Sequence, residues 1–418
     1  MQTYDDIFQQ LVRAAYQGNL NDAIERIRQS GKANEEKLEL LLHPENLPPV
    51  VHLKQDCSSS SVPSSCQVAC LFSAIQKDAK GQVTVSAETC VGCELCIESC
   101  KSGHLVDRKD FIPLFEELSS GKNPVYAMIA PAFIGQFSAD VTPGKLRTAF
   151  KKIGFHGMME VALFADILTL KEAFEFDRAI KKDQDFLLTS CCCPMWVAMI
   201  RKTYSTLVPH MPPSVSPMVA GGRVIKHLHP GAKTVFIGPC LAKKAEAKEA
   251  DIRDAVDYVL TFQEITEIFD AAKISLPTLK EDEREHSSRA GRIYARSGGV
   301  STAVSDTLAR LRPNRTIPLR SERANGIVAC KKMLKEILNG EIKANFLEGM
   351  GCTGGCVGGP KSLVPVDLAT KYVNDYGNEA PYETPADNPS VLKLLDLLGY
   401  KTLDSFLDAP ESMFTRKF

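Results

Sequence analysis

Residues 348–360 read EGMGCTGGCVGGP, and no other stretch restricts the folding of this chain as strongly. Two thiols four residues apart, Cys352 and Cys356, sit among glycines, so the backbone can wrap closely around a bulky group that the thiols hold. Matching thiols occur in 189–196 (TSCCCPMW) and 238–246 (GPCLAKKAE). Four cysteinyl sulfurs drawn from three distant segments form the ligand set that a cubane iron-sulfur cluster inside a domain requires. Such a chain must close around that centre.

These three segments resemble the signature motifs of the FeFe-hydrogenases, TSCCPxW, PCxxKxxE and ExMxCxxGCxxGG, and stand in that family's order. The resemblance implies that Cys193, Cys240, Cys352 and Cys356 hold a 4Fe-4S cubane, with Cys356 bridging to a two-iron subsite that carries CO, cyanide and a dithiolate. This assembly, the H-cluster, interconverts dihydrogen with protons and electrons. Anchored on the Cys-Pro-x-Trp end of the first motif, Cys192 is the proton donor and Cys191 is extra; anchored on Thr-Ser, both roles shift by one residue. The third cysteine resembles one subgroup of the family. By the same resemblance Lys243 holds a cyanide ligand, Met350 packs on the subsite, Ala130 and Pro131 line its cyanide side, and Ser216 adds a contact to the cofactor. Glu246 reads as a structural ion-pair partner and Lys244 as solvated.

The chain departs from the family pattern at several points. Gly238 stands where methionine is usual and Met218 where many relatives have glutamine, and the run after Cys356 is shorter. A thiol near its ordinary pKa of about 8.5 can pass a proton only to a group within reach. Glu172 and Glu175, three apart on a predicted helix, share a face. They align with the two glutamates of the family's proton relay. The serine between them is missing, so Ser214, Ser216 or a water must substitute.

Upstream, Cys90-x2-Cys93-x2-Cys96-x3-Cys100 has the spacing of a bacterial ferredoxin half, in which the fourth thiol ligates the other cluster. Zinc sites usually use two separated pairs of ligands. Cys66-x3-Cys70 resembles the tail of the second half, with Cys57 as its first thiol. One cluster, a 4Fe-4S, then takes Cys70, Cys90, Cys93 and Cys96. The other has only Cys57, Cys66 and Cys100, and is either a 4Fe-4S cluster with a borrowed ligand (Asp56 or water) or a 3Fe-4S cluster. Serine-rich 58–65 reads as a loop.

From residue 123 short apolar strands alternate with amphipathic helices. Strands are expected at 124–130, 159–163, 186–189, 234–238 and 258–261, and helices at 144–153, 167–181, 262–272 and 327–338. The fold class is therefore α/β with largely parallel sheets, whose sites form at strand carboxyl ends. Three units are expected: a helical segment 1–52, a ferredoxin-like domain 53–118 and an H-cluster domain 119–418. The charge-rich 280–292 reads as a solvated loop, although 289–299 resembles a family strand-and-turn over the cluster, and Cys330 reads as a packing thiol.

At 418 residues and a net charge of −1, the chain gives no sign of an electrostatic grip on nucleic acid or an acidic membrane. It has no apolar run of about 20 residues and no export signal, so a cytoplasmic protein is expected, its fourteen cysteines serving metals rather than disulfides. The implied partners are H2, protons, a soluble electron carrier such as ferredoxin, and maturation proteins that insert the two-iron unit. The rival readings are a non-catalytic relative of the cytosolic cluster-assembly type, an H2 sensor, which should carry an added signalling domain, and a subunit of an electron-bifurcating complex. Retention of Cys192, Lys243, Glu172 and Met350 argues against the assembly type.

Overall fold

The computed structural model describes residues 2–53, 64–78, 82–284, 286–407 and 412–418. Asp56, Cys57 and most of the serine-rich 58–65 stretch lie outside them.

The chain opens with three helices, Tyr4–Gln17, Leu20–Gln29 and Lys32–Leu42. The first starts at a capping box: the Thr3 hydroxyl accepts the Asp6 N–H at 3.0 Å and the Asp6 carboxylate accepts the Thr3 N–H at 2.9 Å. Its buried stripe of Ile7, Phe8, Leu11 and Ala15 follows the helical period and packs on the helix Phe262–Ala271. Strands β1 (Val50–His52), β2 (Ile75–Lys77), β3 (Val83–Val85) and β4 (Leu105–Asp107) then form two antiparallel pairs, β1–β4 and β2–β3.

The remainder holds two parallel sheets. The first, in the order β6–β5–β8–β9, uses β5 (Val125–Ile129), β6 (Gly157–Glu160), β8 (Lys233–Gly238) and β9 (Tyr258–Thr261). β5 and β8 are apolar almost throughout because both faces are covered. The second, in the order β10–β11–β7, uses β7 (Leu187–Thr189), β10 (Ser321–Asn325) and β11 (Phe346–Met350).

The helix Ala162–Ala179 is buried on nearly every side and packs against Pro217–Leu228 and Gly299–Leu311. It is apolar around most of its circumference, as an interior helix must be. Its buried Asp166 accepts the Ser288 hydroxyl at 2.5 Å and the Gly291 N–H at 2.8 Å, so its one early charge is satisfied.

Three expectations change. The strand expected at 159–163 ends at Glu160, and residues from Ala162 are already helical. Residues 289–299 form the helix Arg289–Arg292 and a 3-10 turn Ile293–Ala295 rather than a strand. Within 280–292, Ser287, Ser288, Ala290 and Arg292 are buried, so that end of the stretch is core. Among the described residues no helix is long and apolar enough to cross a membrane.

Candidate metal and proton-transfer site

Every cysteine motif of the two parallel sheets follows a strand end. β7 ends at Thr189, just before Cys191–Cys193; β8 ends at Gly238, two residues before Cys240; β11 ends at Met350, two before Cys352. β5 delivers Ala130 and Pro131 in the same way. The carboxyl ends of both sheets thus open on one place.

Ser190 turns the chain there with φ +69, a left-handed conformation uncommon outside glycine. Cys193 then caps the helix Pro194–Thr203, and its sulfur accepts the Gly351 N–H at 3.3 Å, which joins the first motif to the third. The Trp196 indole N–H donates to the Thr189 carbonyl at 2.8 Å and holds the turn from behind. The glycines of the third motif also permit close approach between protein segments. A side chain at Gly355, φ +85, would meet the Ser297 nitrogen at 2.7 Å, and one at Gly359 would meet the Pro239 carbonyl at 2.6 Å. They bring protein segments together.

The four sulfurs of Cys193, Cys240, Cys352 and Cys356 lie within electrostatic reach of one another. Burial pushes Cys240 up to about 11, with Cys193 adding to the rise. Burial, then Cys240 and Cys193, pushes Cys356 up to about 12, and burial, then Cys240, Cys193 and Cys356, raises Cys352. Four such thiols are stable as thiolates together only against added positive charge, which is what an iron-sulfur cluster provides. Among the described residues no three Cys, His, Asp or Glu side chains converge as one metal ion would need. The donor set fits a polynuclear group.

Beside it is a small pocket of about 50 Å³, walled by Ala130, Pro131, Phe236, Tyr294, Met218 and Pro217, with Cys192, Cys356 and Lys243 also on its lining. Gly238 fits this wall for a local reason: a side chain there would meet the Phe236 ring at 2.8 Å and the Ala130 methyl at 3.1 Å. Phe236 fills the space that a larger residue at 238 would take. The Lys243 ammonium donates to the Cys192 carbonyl at 2.9 Å and to Glu246 at 2.6 Å; burial works against its charge, but Glu246 together with the Cys240 and Cys192 sulfurs holds its pKa above the ordinary value. Met350 packs in the same apolar cluster as Tyr294, against Cys192 and Cys193. The Ser216 hydroxyl accepts the Val219 N–H and caps the helix Pro217–Leu228.

Cys192 borders the cavity, whereas Cys191 is buried on the other side with its S–H toward the Pro212 carbonyl at 3.5 Å. Glu172 accepts the Thr189 hydroxyl at 2.7 Å. Burial pushes its carboxyl up to about 8, that hydrogen bond opposing and Glu175 assisting. Glu175 is ion-paired with Lys171 and accepts the Ser214 hydroxyl at 3.2 Å, while Lys171 also donates to Ser214 at 2.8 Å. Ser214, not Ser216, therefore stands beside the second glutamate.

Closer to the N-terminus, Cys70, Cys90, Cys93 and Cys96 line a second, narrow pocket. Cys66 and Cys100 share one apolar cluster beside it, and the Ser65 hydroxyl bonds the Ser99 carbonyl at 3.0 Å. Cys57 lies outside the described residues. A small apolar cluster of Val91, Met195, Ala198 and Ala242 packs against Cys93, Cys193 and Cys240, so the two cysteine groups are neighbours. Cys330 is fully buried and directs its S–H to the Met350 carbonyl at 3.4 Å.

Phe236, Tyr294 and Lys171 were not anticipated. Strand alternation could have found Phe236, two residues before Gly238 on the same face. Lys171 stands four before Glu175 on the helix, a spacing that signals an ion pair but not its burial. Nothing local marks Tyr294, whose hydroxyl accepts from Thr169 at 2.9 Å. Lys244, expected in solvent, is fully buried and bonds both oxygens of Glu264 at 3.0 Å. A long apolar stem and a complete set of acceptors make that burial tolerable.

The family model described as iron only hydrogenase large subunit, C-terminal domain, matches residues 123–360, more than half of the chain. Iron hydrogenase 1 of Clostridium pasteurianum is 28% identical over 292 residues, 58% of this chain and 50% of its own length, so the chain spans about half of that relative. Cytosolic iron-sulfur assembly component 3 of Bos taurus is 24% identical over 380 residues, 75% of this chain and 79% of its own. An FeFe-hydrogenase structure from Chlamydomonas reinhardtii shares the fold with a TM-score of 0.57 at 23% identity, over 67% of this chain and 92% of that one. With its cysteine motifs at the carboxyl ends of two parallel sheets, the chain belongs to the iron-only hydrogenase large-subunit family, whose C-terminal domain it carries at residues 123–360.

Proposed function

We propose that this protein is an FeFe-hydrogenase, of the subgroup with three consecutive cysteines in the first motif, that interconverts H2 with protons and electrons in the cytoplasm. Cys193, Cys240, Cys352 and Cys356 would hold the cubane of an H-cluster, Cys356 would also hold the two-iron unit, and that unit would lie at the pocket lined by Cys192, Cys356 and Lys243. When bound, the H-cluster supplies the redox chemistry. The protein's own share is to position and to move protons. Lys243, held by Glu246, offers a buried cation to an anionic ligand in the cavity. Cys192 keeps its proton because burial, then Cys356 and Cys193, raise its thiol. It is the group on the cavity wall that can give or take one. Glu172, which adds to that rise, is the next acceptor, and at about 8 it exchanges protons near neutral pH.

In this reading residues 1–52 are a helical cap, 53–118 a ferredoxin-like domain and 119–418 the catalytic domain. Cys70, Cys90, Cys93 and Cys96 would hold one 4Fe-4S cluster, and Cys57, Cys66 and Cys100 a second cluster. The adjacency of Cys93 to Cys193 and Cys240 supports electron passage between the two units, and a soluble carrier such as ferredoxin would receive the electrons. The two-iron unit would be inserted by maturation proteins.

One observation carries the proposal: a thiol, a buried lysine and the end of a cubane ligand set meet on a single apolar cavity. The second reading, a non-catalytic assembly protein, is favoured by the similar identity of the assembly component. Infrared spectra of protein matured with the two-iron cofactor separate them. CO and cyanide bands with hydrogen uptake support the hydrogenase; cubane signals without either support the assembly protein.

A further inference from the structure

Residues 412–418 lie along the loop that carries Ser214. Thr415 and Ser214 form an antiparallel bridge. On one side of Ser214 the Arg416 N–H donates to the Pro213 carbonyl at 3.2 Å, and on the other the Val215 N–H donates to the Phe414 carbonyl at 3.1 Å. The serine is clamped at both neighbours. The clamp is itself anchored. Phe414 is fully buried, and Arg416, a residue only 5% exposed, bonds through its guanidinium to Glu249 at 2.7 Å and Asp251 at 3.0 and 3.1 Å and lies over Phe418. Glu249 and Asp251 follow the helix Ala242–Glu246, which carries Lys243. Arg223 adds bonds to the Met413 and Thr415 carbonyls at 3.4 and 3.2 Å.

What is clamped has a direction. The Lys171 ammonium has no acceptor capacity, so it donates to Ser214, and the single Ser214 proton is thereby committed to Glu175. Lys171 is buried and its pairing with Glu175 is made within one helix, so the bonds that depend on the serine staying in place are Lys171 to Ser214 and Ser214 to Glu175. We infer that Arg416 is a positioning residue for proton exchange: through the 412–418 strap it holds Ser214 between Lys171 and Glu175, behind Glu172. The inference rests on the hydrogenase reading for its kinetic consequence, while the clamp itself can be tested without it.

The experiment compares wild type with Arg416→Met, Arg416→Lys, Ser214→Ala and the double variant Arg416→Met/Ser214→Ala. Amide exchange is measured first on full-length protein carrying only cubane clusters. Arg416→Met should speed exchange at Val215 and leave the Cys193 and Val197 amides unchanged; unchanged Val215 exchange overturns the clamp. In matured protein, Arg416→Met should keep its iron content and the rate at which a reduced dye reduces the cubanes. Its hydrogen turnover should fall by about tenfold with a larger solvent isotope effect, the scale expected when a transfer group is slightly misplaced. Arg416→Lys should recover part of the loss, and the double variant should be no worse than Ser214→Ala. Multiplying losses in the double variant, or iron loss in step with turnover, overturn the positioning role. A matured wild type without turnover sinks the hydrogenase reading instead, and Val215 exchange still decides the clamp.

Discussion

Replacing Glu172 by glutamine tests the electrostatics of the proton path directly. Burial raises this carboxyl from an ordinary value of 4.5 to about 8, so between those pH values the folded chain keeps a proton that the unfolded chain has released. The stabilisation from that proton is complete below the unfolded value, declines as pH rises, and is gone once pH has passed the folded value. Its slope is about 1.4 kcal/mol per pH unit, or about 3 kcal/mol between pH 5 and pH 7. Glutamine carries no such proton, and its carbonyl still accepts the Thr189 hydroxyl, so the variant lacks the pH-dependent loss while keeping the local bond. Anaerobic urea unfolding from pH 5 to pH 9, on samples matched in iron content, should show Glu172→Gln gaining on wild type up to about pH 8 and holding its lead beyond. The same variant should lose hydrogen turnover by about a hundredfold, because a glutamine cannot relay a proton. A stability gap that stays flat or narrows as pH rises would refute the burial argument.

Other substitutions separate neighbouring roles. Cys192→Ser should cut hydrogen turnover by about a hundredfold or more, whereas Cys191→Ser, away from the cavity, should leave most of it; steady-state assays on matured protein decide. Glu246→Gln removes the carboxylate paired with buried Lys243 and should destabilise the fold by about 3 kcal/mol in denaturant melts, since it strands a buried charge. Cys96→Ser should remove one cubane signal from the paramagnetic spectrum and slow dye-coupled turnover, while the CO and cyanide bands of matured protein persist.

The sequence carried β5 and β8 of the first sheet well because they are short apolar runs bounded by turn residues, and the start of the helix Pro194–Thr203 is announced by Pro194. It carried the second sheet poorly. β10 reads SERAN and is largely exposed, so it shows no apolar pattern. β11 holds a buried Glu348 whose carboxylate is satisfied from outside the strand, by the N–H groups of Gly298 and Ser301 at 2.7 and 2.8 Å and by the Ser301 hydroxyl at 2.7 Å. A charge neutralised by distant donors cannot be read locally. The same limit hid the burial of Lys171 and Lys244 and the choice of Ser214 over Ser216, all of which depend on partners far along the chain. Thiol spacing, by contrast, was legible, because cluster ligands have to recur at intervals that local backbone geometry permits.

The account rests on four cysteines from two sheets sharing one cluster, and an iron anomalous difference map of crystals grown from matured protein tests this most directly. The account predicts a cubane bonded to Cys193, Cys240, Cys352 and Cys356, with two further irons in the cavity beside Cys192, Phe236 and Lys243. A cubane lacking any of those four sulfurs, or iron confined to the cysteines between 57 and 100, would contradict it.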